Sequence, residues 1–369
     1  MTTVTTTFVL TDEIKKGLAD GTYERVGGMI RETQTKRTVQ WLREIVPSSM
    51  PGILSDIGSV ASVLNLGVSI INLGVSVMGF QMVSDRLDHV EKQLQQTKEV
   101  LLKSNEQLAV KIDLSFYANL RAAISLADFA FTMADPDNRK VFAAQAINRF
   151  LEAKEHYLAY ADSAIESSSR AADKHLLTLF LACIAEARCH LEPGEPTTAS
   201  LCLQKGNIVL RSRLEKYINI LLTTNPAAYL HPSLNEEIDL SRLTHVYKWL
   251  NPELNENSIF QEQRSNFFKI AQSNDQWVRS LPDAVIEYTQ FKNNGALIYS
   301  KLPKVMEKME AMIETYRRFE AYQGEVQAIA QLGISFQEWL QLKPAEAQPE
   351  GAKLMYIMPS EPLKLISVN

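Results

Sequence analysis

The chain has 369 residues, and its 38 Lys and Arg against 43 Asp and Glu give a net charge of −5. This mild acidity supplies no basic face for nucleic acid, so we expect no nucleic-acid partner. The three cysteines, Cys183, Cys189 and Cys202, are an odd number in a long chain, which favours a reducing compartment over a disulfide framework.

Residues 1–50 are predicted to form a small separate element. The opening MTTVTTTFVLTDEIKKG has no basic start followed by an apolar core, so it predicts no signal peptide. Residues 23–44 predict a β-hairpin, because short runs of β-branched and apolar residues flank polar turn residues at 33–36. Pro47 and Pro51 then separate this element from the next.

The dominant feature is a long helix predicted within residues 51–113, whose middle, residues 57–84, has no charged residue and no histidine. At ~1.5 Å per residue this middle part would span roughly 42 Å, more than the ~30 Å hydrocarbon core of a bilayer. A seven-residue repeat crosses from the apolar half into the charged half without a change of register, which favours one continuous coiled-coil helix. The repeat consists of Leu66, Leu73, Phe80, Leu87, Leu94, Leu101 and Leu108.

One face of the apolar half carries small and polar residues, which let helices approach closely and hydrogen-bond to each other. These residues are Gly58, Ser62, Asn65, Ser69, Asn72, Ser76 and Gly79. An asparagine facing lipid is costly, so this face is expected to contact protein or water. Two interpretations stay open: the helix enters a membrane, or it is the central helix of a soluble bundle and is apolar all round because it is buried all round.

The rest of the chain predicts helices at 114–134, 140–166, 171–191 and 197–222, which form a helical bundle over residues 114–224. Residues 225–300 are an irregular region with a short amphipathic helix at 240–250. A second long helix is predicted within 301–342, with apolar residues alternating in steps of four and three from Val305 to Leu340, weakened at Gln323, Gly333 and Gln337. In the tail, 343–369, the apolar runs 354–358 and 363–368 predict strands that pair with the N-terminal hairpin.

Motifs for phosphate loops, zincin histidine pairs and dinucleotide sites are absent from the sequence. Titratable and thiol side chains do cluster between residues 183 and 202: Cys183, Glu186, Cys189, His190 and Cys202. Cys183, Glu186 and His190 share a helix face with ligand-like spacing, but no paired Cys-x-x-Cys knuckle accompanies them. Core packing is therefore the favoured interpretation. We expect no metal, no cofactor and no catalytic residue, and hence not an enzyme.

The predicted architecture is all-α: an elongated helical bundle with two long coiled-coil helices and a small N-terminal β-hairpin. This layout, with its uncharged segment inside a long helix, resembles helical pore-forming proteins of the cytolysin A type. In that family the apolar segment is a mid-chain tongue, whereas here it lies near the N-terminus, and no residue roles carry over. We expect a protein that is cytoplasmic or soluble at first and becomes membrane-associated.

We therefore expect a non-enzymatic, membrane-active protein, a pore-forming toxin or cell-suicide effector, that inserts residues 57–84 and oligomerises. Its expected partners are a lipid bilayer and further copies of itself. The alternative is a soluble coiled-coil scaffold or adaptor whose helical domain binds a protein partner.

Overall fold

The protein is an all-α helical bundle with a small antiparallel sheet. The computed structural model describes residues 11–44, 80–103, 115–168, 171–222, 229, 238–272, 290–291, 297–298, 302–342 and 354–357. The N-terminal elements are α1 (Asp12–Asp20), β1 (Tyr23–Val26), β2 (Met29–Glu32) and β3 (Thr38–Glu44). The bundle helices are α2 (Phe80–Lys103), α3 (Ser115–Thr132), α4 (Pro136–Glu166), α5 (Ala172–Leu191), α6 (Pro196–Leu222), α7 (Leu240–Leu250) and α8 (Glu256–Gln272). The remaining elements are β4 (Gln290–Phe291), β5 (Leu297–Ile298), α9 (Leu302–Leu332), α10 (Phe336–Gln341) and β6 (Leu354–Ile357).

The N-terminal sheet has the strand order β1-β2-β3-β6, and all its neighbours are antiparallel. The structure has three strands where the sequence predicts a two-stranded hairpin. Gly27 and Gly28 form a tight turn between β1 and β2, with Gly27 in the left-handed region at φ 53°. The predicted pairing of run 354–358 with the N-terminal strands is confirmed, since β6 pairs with β3 and places Ile357 opposite Trp41. Run 363–368 lies outside the described residues.

Helix α2 carries the described part of the first predicted coiled-coil helix. The repeat residues Leu87 and Leu94 are fully buried, as are Val83 and Val90 four residues before them, and the helix packs against α5 and α3. Over this stretch the repeat residues therefore pack against other helices of the same chain. The uncharged residues 57–79 lie outside the described part of the chain. Within that part, none of the helices combines the length and the apolar character that a bilayer crossing requires.

Helix α5 holds the central position among the described helices. Nearly every one of its side chains is buried, because α4, α6 and α2 pack around it. An all-round buried helix is usually apolar on every face. This one nevertheless buries Asp173, Lys174, His175, Glu186 and Arg188, which is the main departure from the sequence pattern.

Helix α9 is the second long helix, and it packs on α6, α7 and β1. The prediction that its apolar repeat continues in one helix to Leu340 is wrong, because α9 ends at Leu332. Gly333 adopts φ 65° and donates its N–H to the Ile329 carbonyl at 3.1 Å, which closes the helix C-terminus. Ser335 then starts α10 with a capping box, exchanging hydrogen bonds with Glu338.

The sheet docks on α9 and α10 through three contacts. Arg25 forms a two-point ion pair with Glu314 at 3.0 and 3.1 Å. The Gly27 turn lies so close to α9 that an added Cβ would come within 2.5 Å of the Arg317 carbonyl oxygen. Trp41 meets Trp339 edge to face, with ring centroids 5.6 Å apart.

Candidate functional site

The residues predicted to form a membrane or oligomer face all lie outside the described part of the chain. They are Gly58, Ser62, Asn65, Ser69, Asn72, Ser76 and Gly79. Their assignment stays a prediction. The polar and thiol residues between 183 and 202 do lie in the described part, and their geometry is given below.

The turn between α5 and α6 decides which of these residues meet. Gly194 adopts φ 85°, and the Glu195 N–H donates to the His190 carbonyl at 2.9 Å, so the chain reverses within a few residues. Pro196 then occupies the first position of α6, where its missing N–H costs nothing. The two helices run antiparallel as neighbours, and residues equally far from the turn face each other.

Three side chains converge across this helix pair, which we call the Glu–His–Cys cluster: Glu186, His190 and Cys202. Glu186 and His190 are one helical turn apart on α5, so they project from the same face. Cys202 faces them from α6, and its thiol donates a hydrogen bond to Glu186 Oε1 at 3.0 Å. The three potential ligand atoms lie within 4.8 Å of one another. Glu186 is buried, while His190 and Cys202 are partly exposed.

Lys154 of α4 completes the surroundings of the cluster by pairing with Glu186 Oε2. Burial raises the pKa of the Cys202 thiol to about 12, and the adjacent Glu186 carboxylate adds to this effect. The pKa of His190 is lowered by burial, so its imidazole is neutral near pH 7. Without a bound cation the cluster therefore holds a protonated thiol, a neutral imidazole and a carboxylate paired with an ammonium group.

The sequence interpretation identified only part of this cluster. It placed Cys183 with Glu186 and His190 because the three share one helix face, whereas the structure brings Cys202 to them from the next helix. Cys183 is buried beside Gly206, and Cys189 is fully buried in the core, as expected for small apolar groups. Lys154 was missed, because its approach depends on how α4 packs on α5.

A second polar group lies where α5 meets α9. The fully buried Asp173 carboxylate pairs with Lys174 at 2.9 Å and with Lys308 at 3.1 Å. Burial alone would raise the pKa of Asp173, but the two ammonium groups outweigh it and hold the pKa below its ordinary value. Asp173 is therefore ionised in the core.

His175 lies two residues beyond Asp173 in α5, and its ring stacks on Tyr160 at a centroid distance of 5.7 Å. Its Nδ1 has no hydrogen-bond partner in the described part of the chain. Burial lowers the pKa of His175 to about 4, so the imidazole is neutral at pH 7. Apolar residues follow His175 in α5, and this pattern does not predict a buried titratable group at that position.

No protein-family model, curated protein or solved structure matches this chain. What the protein does is therefore inferred from its own residues.

Proposed function

We propose that the protein is a non-enzymatic, membrane-active helical protein that keeps residues 57–84 within a soluble form and inserts them into a bilayer. The observation that carries this proposal is the uncharged character of residues 57–84 over more than the ~30 Å of a hydrocarbon core. After insertion, Gly58, Ser62, Asn65 and Ser69, continued by Asn72, Ser76 and Gly79, form the face through which copies associate.

The anchoring of α2 supports the C-terminal boundary of this segment. Phe80 begins α2, and the buried residues Val83 and Leu87 follow at once and attach the helix to α5. The heptad register of α2 is the same as that of the uncharged segment before it. The bundle therefore holds residues 80–84 in the soluble form. Insertion as far as Ser84 requires Val83 to leave the core, while Leu87 and the residues after it remain as the fixed base.

The other end of the segment is attached to the sheet, since β3 ends at Glu44 and pairs with β6. A helix needs about 20 residues to cross the hydrocarbon core, so a passage out and back would take about 40, more than residues 45–79 contain. The proposal therefore requires one crossing. A single crossing puts strands β1–β3 and the bundle on opposite sides of the bilayer, so these strands have to leave α9, α10 and β6.

A crosslink between the sheet and α9 tests this requirement. Arg25→Cys with Glu314→Cys, joined by a short bis-maleimide, holds β1 on α9 in the full chain. We expect the crosslinked protein to release no dye from phosphatidylcholine–phosphatidylglycerol vesicles at neutral or acidic pH, whereas the same variant without crosslinker releases it. The matched control is Arg242→Cys with Glu310→Cys, which replaces another two-point ion pair, between α7 and α9, and leaves the sheet free. Its crosslinked form should release dye.

Two results would contradict the proposal. Dye release by the Arg25→Cys, Glu314→Cys protein in its crosslinked form would show that the sheet does not have to move. Absence of both dye release and vesicle binding by the unmodified chain at either pH would remove the membrane role. That second result would favour the alternative, a soluble scaffold that binds a protein partner.

A further inference from the structure

We propose that the Glu–His–Cys cluster binds one thiophilic divalent transition-metal ion of the Zn²⁺ class, with Glu186, His190 and Cys202 as its protein ligands. This site is independent of the membrane role proposed above. It would join α5, the central helix, to its neighbour α6.

The spacing of the donor atoms suits such an ion. Metal–ligand bonds of 2.0–2.3 Å place tetrahedral ligand atoms about 3.5 Å apart. The Cys202 Sγ and Glu186 Oε1 atoms are already 3.0 Å apart, and all three donors lie within 4.8 Å of one another. A side-chain adjustment of about 1 Å is enough to bring the three donors around one ion, so neither helix has to move.

The donor types decide which ion fits. A thiolate and an imidazole favour Zn²⁺, Co²⁺ and related ions, whereas Mg²⁺ and Ca²⁺ prefer an all-oxygen set. The imidazole of His190 is already neutral, as a ligand must be. The partial exposure of His190 and Cys202 gives the ion a path from solvent and leaves the fourth position to water.

Lys154, beside the cluster, and Cys202, within it, set the strength and the pH dependence of binding. Lys154 pairs with Glu186 Oε2, so it opposes the cation electrostatically, while Oε1 still faces Cys202. The Cys202 thiol has to lose its proton when the ion binds. Binding therefore releases about one proton, and the affinity rises with pH.

Titration of the reduced, chelator-treated full chain with Co²⁺ tests the site. We expect one equivalent to bind, giving a thiolate-to-cobalt charge-transfer band and the visible absorption of tetrahedral Co²⁺, both displaced by Zn²⁺. Calorimetry of Zn²⁺ binding in two buffers of different ionisation enthalpy should count the released proton.

Three variants distinguish these ligands from Cys183, a buried thiol nearby. Cys202→Ser should remove the charge-transfer band, and Glu186→Gln should weaken Zn²⁺ binding about tenfold or more. Cys183→Ala, which removes a buried thiol outside the cluster, should keep the band and the affinity. Absence of the band in the unmodified chain, or its survival in Cys202→Ser with loss in Cys183→Ala, would overturn the assignment. Circular dichroism verifies that each variant is folded before titration.

Discussion

Asp173 shows how a single buried side chain constrains the core. Its carboxylate lies between the ammonium groups of Lys174 and Lys308, all three with almost no solvent exposure. A buried ion pair contributes little compared with a well-packed apolar alternative, but removal of one partner leaves an uncompensated charge. Substitution of Asp173 is therefore expected to lower the free energy of unfolding strongly.

Asp173→Asn is expected to lower the free energy of unfolding by about 3–5 kcal/mol, because it removes the buried carboxylate that the Lys174 and Lys308 ammonium groups both contact. Urea denaturation at pH 7 measures the change. Asp162→Asn is the matched control, since its partner Arg213 and its own 39% exposed side chain make a loss below about 1 kcal/mol the expectation. Adding Lys308→Met to Asp173→Asn should recover part of the loss. Equal losses for the two Asp variants would contradict the expectation.

Which polar side chains meet in the core is the feature that the sequence predicts least. Glu186 and His190 were recognisable because their four-residue spacing places them on one helix face. The contributions of Cys202 and Lys154 follow from the packing of α6 and α4 on α5, which no local pattern encodes. The burial of Asp173 is hidden in the sequence for a similar reason, because Lys308, the second cation that pairs with it, is distant along the chain.

At the scale of elements, the docking of the sheet on α9 depends on the turn between β1 and β2. Gly27 combines a left-handed backbone with a close approach to the α9 backbone. A side chain at this position meets main-chain atoms, which cannot move aside as a flexible side chain can. Glycine is therefore required at position 27 for the sheet to stay docked on α9.

Gly27→Ala is expected to weaken this docking by more than the about 1–2 kcal/mol that a left-handed alanine costs. Hydrogen exchange of the β1 and β2 amides measures the opening of the sheet. Gly333→Ala is the control, because Gly333 has φ 65° and its added Cβ meets nothing within 4 Å, so only the backbone cost applies. If Gly27→Ala exchanged no faster in β1 and β2 than Gly333→Ala, the steric argument would fail.

Elements with strong local signals were predicted well. Helix α7 runs from Leu240 to Leu250 as predicted, and α6 ends at Leu222 as predicted. Helix α9 was extended too far, because its apolar repeat continues through Gly333 while the backbone stops there. The predicted hairpin, with its turn at 33–36, lacks the extra strand because Gly27 and Gly28 form a second turn within its first half.

For the whole molecule, acid stability should depend on His175. The pKa of its imidazole falls from the ordinary 6.5 to about 4 on folding, because the buried site disfavours the charged form. The unfolded chain therefore binds the proton more tightly. The contribution of His175 to the free energy of unfolding is fully present above about pH 6.5. It is lost as the pH falls towards about 4, by about 3 kcal/mol in total.

His175→Phe keeps a ring against Tyr160 and removes this titration. We expect the variant to lose about 3 kcal/mol less stability than the unmodified chain between pH 7 and pH 4, as measured by urea denaturation across that range. His245→Asn is the control for the loss of a histidine at the surface, since that side chain is 65% exposed and its removal should leave the free energy of unfolding at pH 7 nearly unchanged. Parallel profiles for His175→Phe and the unmodified chain would show that other groups govern acid unfolding.

The pairing of β3 with β6 has a consequence for synthesis of the chain. The roughly 300 residues between these strands take about 15–60 s to translate at about 5–20 residues per second. During that interval β3, with the apolar Val39 and Trp41, leaves the ribosome without the strand that completes its edge. The nascent chain therefore presents an unpaired edge throughout most of translation, and chaperone binding during that period would protect it from aggregation.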